Sequence, residues 1–226
     1  MLTTRSKYLN QLEEIDATFG RFSDETAADI RALAQALSGD AVAAQDVLDR
    51  AVSGRRLRGT IEETCLDAML LQQPVAGDLR FLTGTFRLVS DLAHIDAKAN
   101  DVAELAQALP ADVTAKLGDH LRFAADHVAT MVEEAVEAFR TSDVDRAHGV
   151  FAMDDDIDDV YLAAEGVVID LIKASETRAK YLPELLMVAK YFERMGDDAV
   201  RIADWAIFRA TGARERAVET GEAAAQ

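Results

Sequence analysis

Four carboxylates in the second half of the chain are spaced for metal chemistry. Asp154 and Asp158 stand four residues apart, and so do Glu193 and Asp197. Residues four apart on a helix share one face, with Cβ atoms about 6 Å apart. Two such helices side by side bring four acids to one spot. There they repel unless they are protonated, bathed in water or neutralised by cations. Glu193 and Asp197 also fall beside an apolar stripe of Phe192, Met195, Ala199 and Ile202, where a carboxylate needs a partner. Oxygen ligands suit hard ions such as Mg²⁺, Mn²⁺, Ca²⁺ or iron. No histidine belongs to the set, which disfavours a tight zinc site and a ferritin-type centre built on Glu-x-x-His. Asp155 and Asp198 either complete a shell or point outward. The competing reading is a solvated face, since runs such as Asp154-Asp155-Asp156 often just sit in water.

The first half supplies an internal comparison. Shifted back by 103 positions, Asp154 and Asp158 become Ala51 and Arg55; shifted back by 100, Glu193 and Asp197 become Ala93 and Ala97. All four acids are missing together, as expected of residues that act as a set. The halves otherwise agree. Ala36-Leu37 answers Ala138-Phe139, Val47 answers Val150, and Ile95, Ala99, Val102 and Ala103 answer Met195, Ala199, Ile202 and Ala203. His94 takes the place of Arg194.

The elements that would position these residues are helices. Tyr8, Leu12, Ile15, Phe19, Phe22, Ile30, Leu33 and Leu37 step by threes and fours, with one gap near Thr26. Ser38-Gly39-Asp40 reads as a turn. A second helix runs from about Ala41 to Gln73, and Pro74 then opens a third. Pro110 closes that unit. A fourth helix carries Val113, Leu117, Leu121, Ala124, Val128, Met131, Ala135 and Phe139, and Ser142-Asp143 mirrors Gly39-Asp40. A fifth covers roughly Val144–Ala174 and a sixth roughly Leu182–Ala210. Short connections make neighbours antiparallel. The expected architecture is all-α: two tandem up-down-up three-helix bundles over 1–109 and 110–212, then a flexible acidic tail over 213–226.

Composition narrows the function. The 226 residues carry a formal net charge of −17, divided at Pro110 into −6 and −11. Such a surface repels phosphate backbones, so nucleic-acid binding is not expected, and a protein partner with basic loops suits it. Apolar runs are short, with nothing near the ~18 residues of a membrane span. The start, Met1 to Arg5, leads into a charged amphipathic helix rather than a signal peptide, so the chain is expected in the cytoplasm. The lone Cys65 excludes an internal disulfide and is expected to be a buried thiol. His120 and His127 are expected at the surface. No nucleophile–base pair, phosphate loop or CxxC is visible, so no catalytic residue is assigned and no enzyme is expected.

Gln72-Gln73-Pro74-Val75-Ala76-Gly77-Asp78-Leu79-Arg80 forms the turn between the second and third helices. Together with Phe192-Glu193-Arg194-Met195-Gly196-Asp197 and Ile202-Ala203-Asp204, it resembles the PhoU family of bacterial regulators of phosphate transport and phosphate signalling. The similarity covers about residues 5–210, in order and through both repeats. It implies two three-helix bundles that bind metal through Glu/Asp-x-x-x-Asp pairs. Carried over by position, the second-bundle ligands are Asp154, Asp158, Glu193 and Asp197. The metal is a divalent or trivalent ion (Fe, Mn, Mg, Ca or Zn). In the first repeat, Asp91-Leu92-Ala93-His94-Ile95-Asp96-Ala97 stands where the family has Asp-Leu-Glu-Arg-Ile-Gly-Asp. Metal is therefore expected in the second bundle only, while Asp91, Asp96 and Asp101 remain nearby but out of register.

The resemblance also implies partners: the ATPase subunit of a phosphate ABC transporter and a phosphate-sensing histidine kinase, reached from the inner face of the membrane. A homodimer stays open. In the turn itself, Asp78 favours the positive end of the third helix, and Arg80 is expected to pair with an acid on a neighbour. The alternative function is a metal-binding or metal-buffering helical protein unrelated to phosphate control.

Overall fold

The computed structural model describes residues 2–174 and 178–215. These form α1 (Leu2–Leu37), α2 (Ala41–Gln72), α3 (Ala76–Ala108), α4 (Ala111–Thr114), α5 (Gly118–Thr141), α6 (Val144–Lys173) and α7 (Leu182–Thr211). No strand occurs among the described residues. Helix α1 runs unbroken through the gap in its apolar stripe, as expected. Thr26 occupies a core position, with Ser23 and Asp29 also buried, so polar residues continue the inward stripe.

The two matched turns are built alike. Gly39 and Ser142 take left-handed backbone, at φ 101° and 59°, to end α1 and α5. The following aspartates cap the next helices. Asp40 accepts from the amides of Val42 and Ala43, and Asp143 from that of Arg146. Such caps contribute about 1 kcal/mol each.

Two boundaries differ from expectation. The third helix begins at Ala76, not Pro74. The reversal out of α2 uses left-handed backbone at both Gln73 (φ 49°) and Ala76 (φ 47°), so Pro74 is consumed inside the turn. The fourth helix is not continuous from Val113. It breaks into α4 and a 3₁₀ turn at Ala115–Leu117 before α5 starts. Thr114 Oγ1 donates to Leu37 O at 2.5 Å, which ties this break to an orphan carbonyl at the end of α1.

Each half is a three-helix bundle, and the two share a single apolar core. Helices α1, α3, α5 and α7 make the central layer. Helix α2 packs on α1 and α3, while α6 packs on α5 and α7. The halves join through α1 with α5 and α3 with α7. Phe139 of α5 crosses this joint and fills the space over Gly84, where an added Cβ would meet its ring at 2.6 Å. Phe19 and Phe81 flank the same ring at 6.1 and 6.2 Å between centroids.

Polar pairs across the joint follow an approximate two-fold axis. Arg31 and Glu133 hold the same place in α1 and α5, 102 positions apart, and bond through two contacts of 2.5 and 2.7 Å. Lys98 and Asp198 hold the same place in α3 and α7, 100 positions apart, and bond at 2.6 Å. Off the axis, Arg201 reaches Asp91 at 3.5 Å. The positions answering these are Asp101 and Tyr191, which face each other; burial and then Asp101 push the tyrosine hydroxyl up. Residue i meeting j, and j meeting i, is the signature of a two-fold joint.

The beginning of the expected tail is anchored. Arg214 binds Asp204 at 2.6 Å, and the amide of Glu215 donates to the same carboxylate at 3.0 Å. The rest of that segment, 216–226, lies outside the described residues. Among the described residues, no helix is long and apolar enough to cross a membrane.

Candidate functional site

The α6–α7 pair carries the four acids. Asp154 is buried, and its Oδ1 lies 3.3 Å from where a Cβ on Gly196 would stand. Glu193 is one turn before Gly196 on α7. One of its oxygens takes Lys190 Nζ at 2.6 Å, while Oε2 is buried without a hydrogen-bond partner. Asp158 and Asp197 are exposed. Among the described residues, no three His, Cys, Asp or Glu side chains sit close enough together to hold a metal ion. The buried Glu193 oxygen, left without a hydrogen-bond partner, is the feature that fits a cation. The two outer acids and Lys190 would have to turn for a shell to close.

The neighbours of this set have other employment. Asp198 faces the joint between bundles, held by Lys98 and by Arg201, so it is not an outward or metal-facing acid. Asp155 is exposed. His127 is a link rather than a surface residue. It stacks on Phe123 at 4.8 Å, its Nε2 lies 3.2 Å from Met153 O, and Asp156 is 3.4 Å away. His120 is half-buried. Cys65 is a buried free thiol, pushed up to about 12 by burial, which leaves it inert.

The corresponding place in the first bundle is hollow. Ala51, Arg55, Ala93 and Ala97, the counterparts of the four acids, all line one cavity of about 570 Å³ between α2 and α3. The carboxylate–glycine contact survives there with its partners exchanged. Asp96 stands at the place of Gly196, and it meets Gly54, which stands at the place of Ile157. A Cβ on Gly54 would come within 2.7 Å of Asp96 Oδ2. Sequence reading placed Asp96 out of register and missed this. The signal was present in the repeat register: position 96 carries aspartate where 196 carries glycine, and position 54 carries glycine where 157 carries isoleucine.

Asp96 is 8% exposed. Burial pushes its carboxyl up to about 6, helped by Asp29 and Glu25 on α1 and opposed by Arg55 on α2. His94 on the rim is lowered, chiefly by burial and then by Lys98, and so is neutral near pH 7.

The α2–α3 turn is held from two sides. The Tyr8 hydroxyl donates to Asp78 at 3.1 Å, and Asp78 occupies the first turn of α3 as expected. Arg80 was expected to meet an acid. Its guanidinium instead lies against the end of α7, with Nη1 3.3 Å from where a Cβ on Gly212 would stand. Leu70, Leu71 and Val75 stay more than 70% exposed at this tip.

Comparison with known proteins resolves the fold's kinship. A PhoU domain matches residues 20–106 and again 121–206, one copy for each bundle. The chain belongs to the PhoU family. A PhoU homolog 1 of Methanothermobacter thermautotrophicus, described as a phosphate-specific transport system accessory protein, is 32% identical over 153 residues. That match spans 67% of this chain and 69% of the relative. A PhoU homolog 2 of Mycobacterium tuberculosis, described in the same terms, is 28% identical over 216 residues, or 92% and 99%. Crystal structures of PhoU from Pseudomonas aeruginosa (25% identity, TM-score 0.78) and from Streptococcus pneumoniae (20%, 0.82) each match 92% of this chain and 99% of their own. The two tandem bundles are thus the PhoU architecture, complete in both repeats.

Proposed function

We propose that this protein is an accessory regulator of phosphate transport that works by binding other proteins rather than by catalysis. The observation that carries the reading is the double PhoU match. Both repeats align in order, and curated relatives matched over nearly their whole length are accessory proteins of phosphate-specific transport systems. Its partners in this reading are the transporter's ATPase subunit and a phosphate-sensing histidine kinase, met at the cytoplasmic face of the membrane. The exposed leucines at the α2–α3 tip and the acidic surface offer apolar and charged contact area. Deleting the gene tests the role. Derepressed phosphate-starvation genes, or excess phosphate accumulation in rich medium, is the expected result. Normal uptake and expression with altered metal content would replace this reading with metal buffering.

We further propose a cation at the second bundle, held by Asp154, Asp158, Glu193 and Asp197. The unpartnered Glu193 oxygen supports it. A bound ion would neutralise the acids and clamp α6 to α7. The oxygen ligands favour a hard ion there.

A further inference from the structure

Most buried aspartates in this fold have a cation to answer them. Asp29 holds Arg50, Asp91 holds Arg87 and Arg201, Asp198 holds Lys98, and Asp204 holds Arg214. Asp96 is buried like these, yet it forms no ion pair or side-chain hydrogen bond among the described residues. It lines the α2–α3 cavity instead. One turn along α3, Asn100 lines the same cavity, and its Oδ1 is buried without a donor.

Both unanswered groups are acceptors. They call for a ligand that brings N–H donors and positive charge. An oxyanion would add acceptors to acceptors. A bare metal ion would need more carboxylates than converge here. The cavity, about 570 Å³ and walled by Ala51, Gly54, Ala93 and Ala97, admits a slim alkyl chain rather than an ion alone. Asp101 and Glu104 extend the negative side of its rim. On the opposite rim, Arg58 is already engaged by Glu62. The net charge of −17 draws cations toward the surface.

We propose that the α2–α3 cavity binds a primary ammonium group on an alkyl chain, donating to the Asp96 carboxylate and to Asn100 Oδ1. The chemistry is that of a lysine side chain presented by a partner protein, or of a free diamine. Binding selects the ionised carboxylate. The groups facing Asp96 are Glu25 and Asp29 on α1, which oppose its ionisation, and Arg55 on α2, which favours it. Affinity therefore rises between pH 5 and pH 7.5, by about tenfold for a carboxyl titrating near 6.

The test is calorimetric titration of the full chain with two probes: putrescine for the free diamine and Nα-acetyl-lysine amide for a protein-borne lysine. Saturable binding of either probe is expected, weaker at pH 5. Asp96→Asn, which keeps the shape, should reduce affinity at least tenfold. Ala93→Leu, which fills the cavity and leaves Asp96 in place, should do the same. Thermal melts confirm that both variants fold. Preference for putrescine assigns a diffusible ligand, and preference for the lysine amide assigns a protein side chain. No saturable binding of either probe at millimolar concentration overturns the proposal, as does binding that Asp96→Asn leaves unchanged.

Discussion

Lys98 and Asp198 occupy one and the same position of the two repeats, and they are bonded to each other at 2.6 Å. Asp198 is almost fully buried, and Arg201 shares it. Lys98 is half-buried and lowered, first by that burial and then by Arg201 and Arg194. Removing the acid strands Lys98 and leaves Arg201 only its longer contact with Asp91; removing the lysine leaves the acid still paired with Arg201. Asp198→Ala should therefore cost about 3–5 kcal/mol and Lys98→Ala clearly less, read as a shift in urea midpoint. Exchanging the two charges should not restore stability, because Arg201 would then face a lysine.

Asp96 makes stability depend on pH in an unusual direction for a carboxylate. Its folded value, about 6, lies above the ordinary 3.8. The folded chain keeps a proton that the unfolded chain releases. The group's contribution is therefore most favourable below pH 4, declines as pH rises to 6, and is flat above. Asp96→Asn should flatten this window and stabilise the ligand-free protein at pH 7.5 by on the order of 3 kcal/mol. Denaturation at pH 4 and pH 7.5 checks the sign.

The Gly54–Asp96 contact should be exchangeable for the second bundle's arrangement. Gly54→Ile alone drives a branched side chain into Asp96 Oδ2 and should destabilise by about 3 kcal/mol or more. Adding Asp96→Gly rebuilds the Ile157–Gly196 pairing and should recover most of the loss. Independent, additive effects in a double-mutant cycle would contradict the equivalence of these positions.

Metal is tested at Glu193 and Asp197. The double change to alanine should abolish bound metal in the second bundle while the protein stays folded. Elemental analysis of the purified variant decides. Full retained stoichiometry would place the ion elsewhere.

Arg209 bridges the ends of three helices. It donates to the carbonyls of Phe139 and Arg140 and lies over the rings of Phe81 and Phe139, at 4.6 and 5.1 Å. Burial lowers its guanidinium, but it stays charged. Arg209→Ala should cost about 2–3 kcal/mol and Arg209→Lys nearly as much, since lysine cannot cap two carbonyls and cover two rings together. Thermal unfolding of both variants is the measure.

Much of this fold was legible because helix periodicity and repeat register are local signals. The turns at Gly39-Asp40 and Ser142-Asp143 announce themselves by residue type. So does the joint loss of acids at Ala51, Arg55, Ala93 and Ala97, which the structure returns as one hollow. What escaped depends on packing. The break at Ala115–Leu117 follows from Thr114 reaching the end of α1, a contact 77 positions away. His127 reads as a surface residue until α6 is laid beside it. The acid at Asp96 reads as out of register until α2 brings Gly54 opposite. The four second-bundle acids are legible as two helix-face pairs, but side-chain rotation decides whether they converge, and sequence does not encode it.

The axial pairs also say something about how the halves recognise each other. Two identical copies of the first repeat, arranged about the same axis, would set Lys98 against Lys98 and Arg31 against Arg31. Two copies of the second would set Asp198 against Asp198 and Glu133 against Glu133. Each half thus repels its own kind at two points and attracts the other at both. Split into separate polypeptides, the halves should form a one-to-one heterodimer in preference to either homodimer. The covalent link then does little to choose the partner, because sorting by charge has already done so.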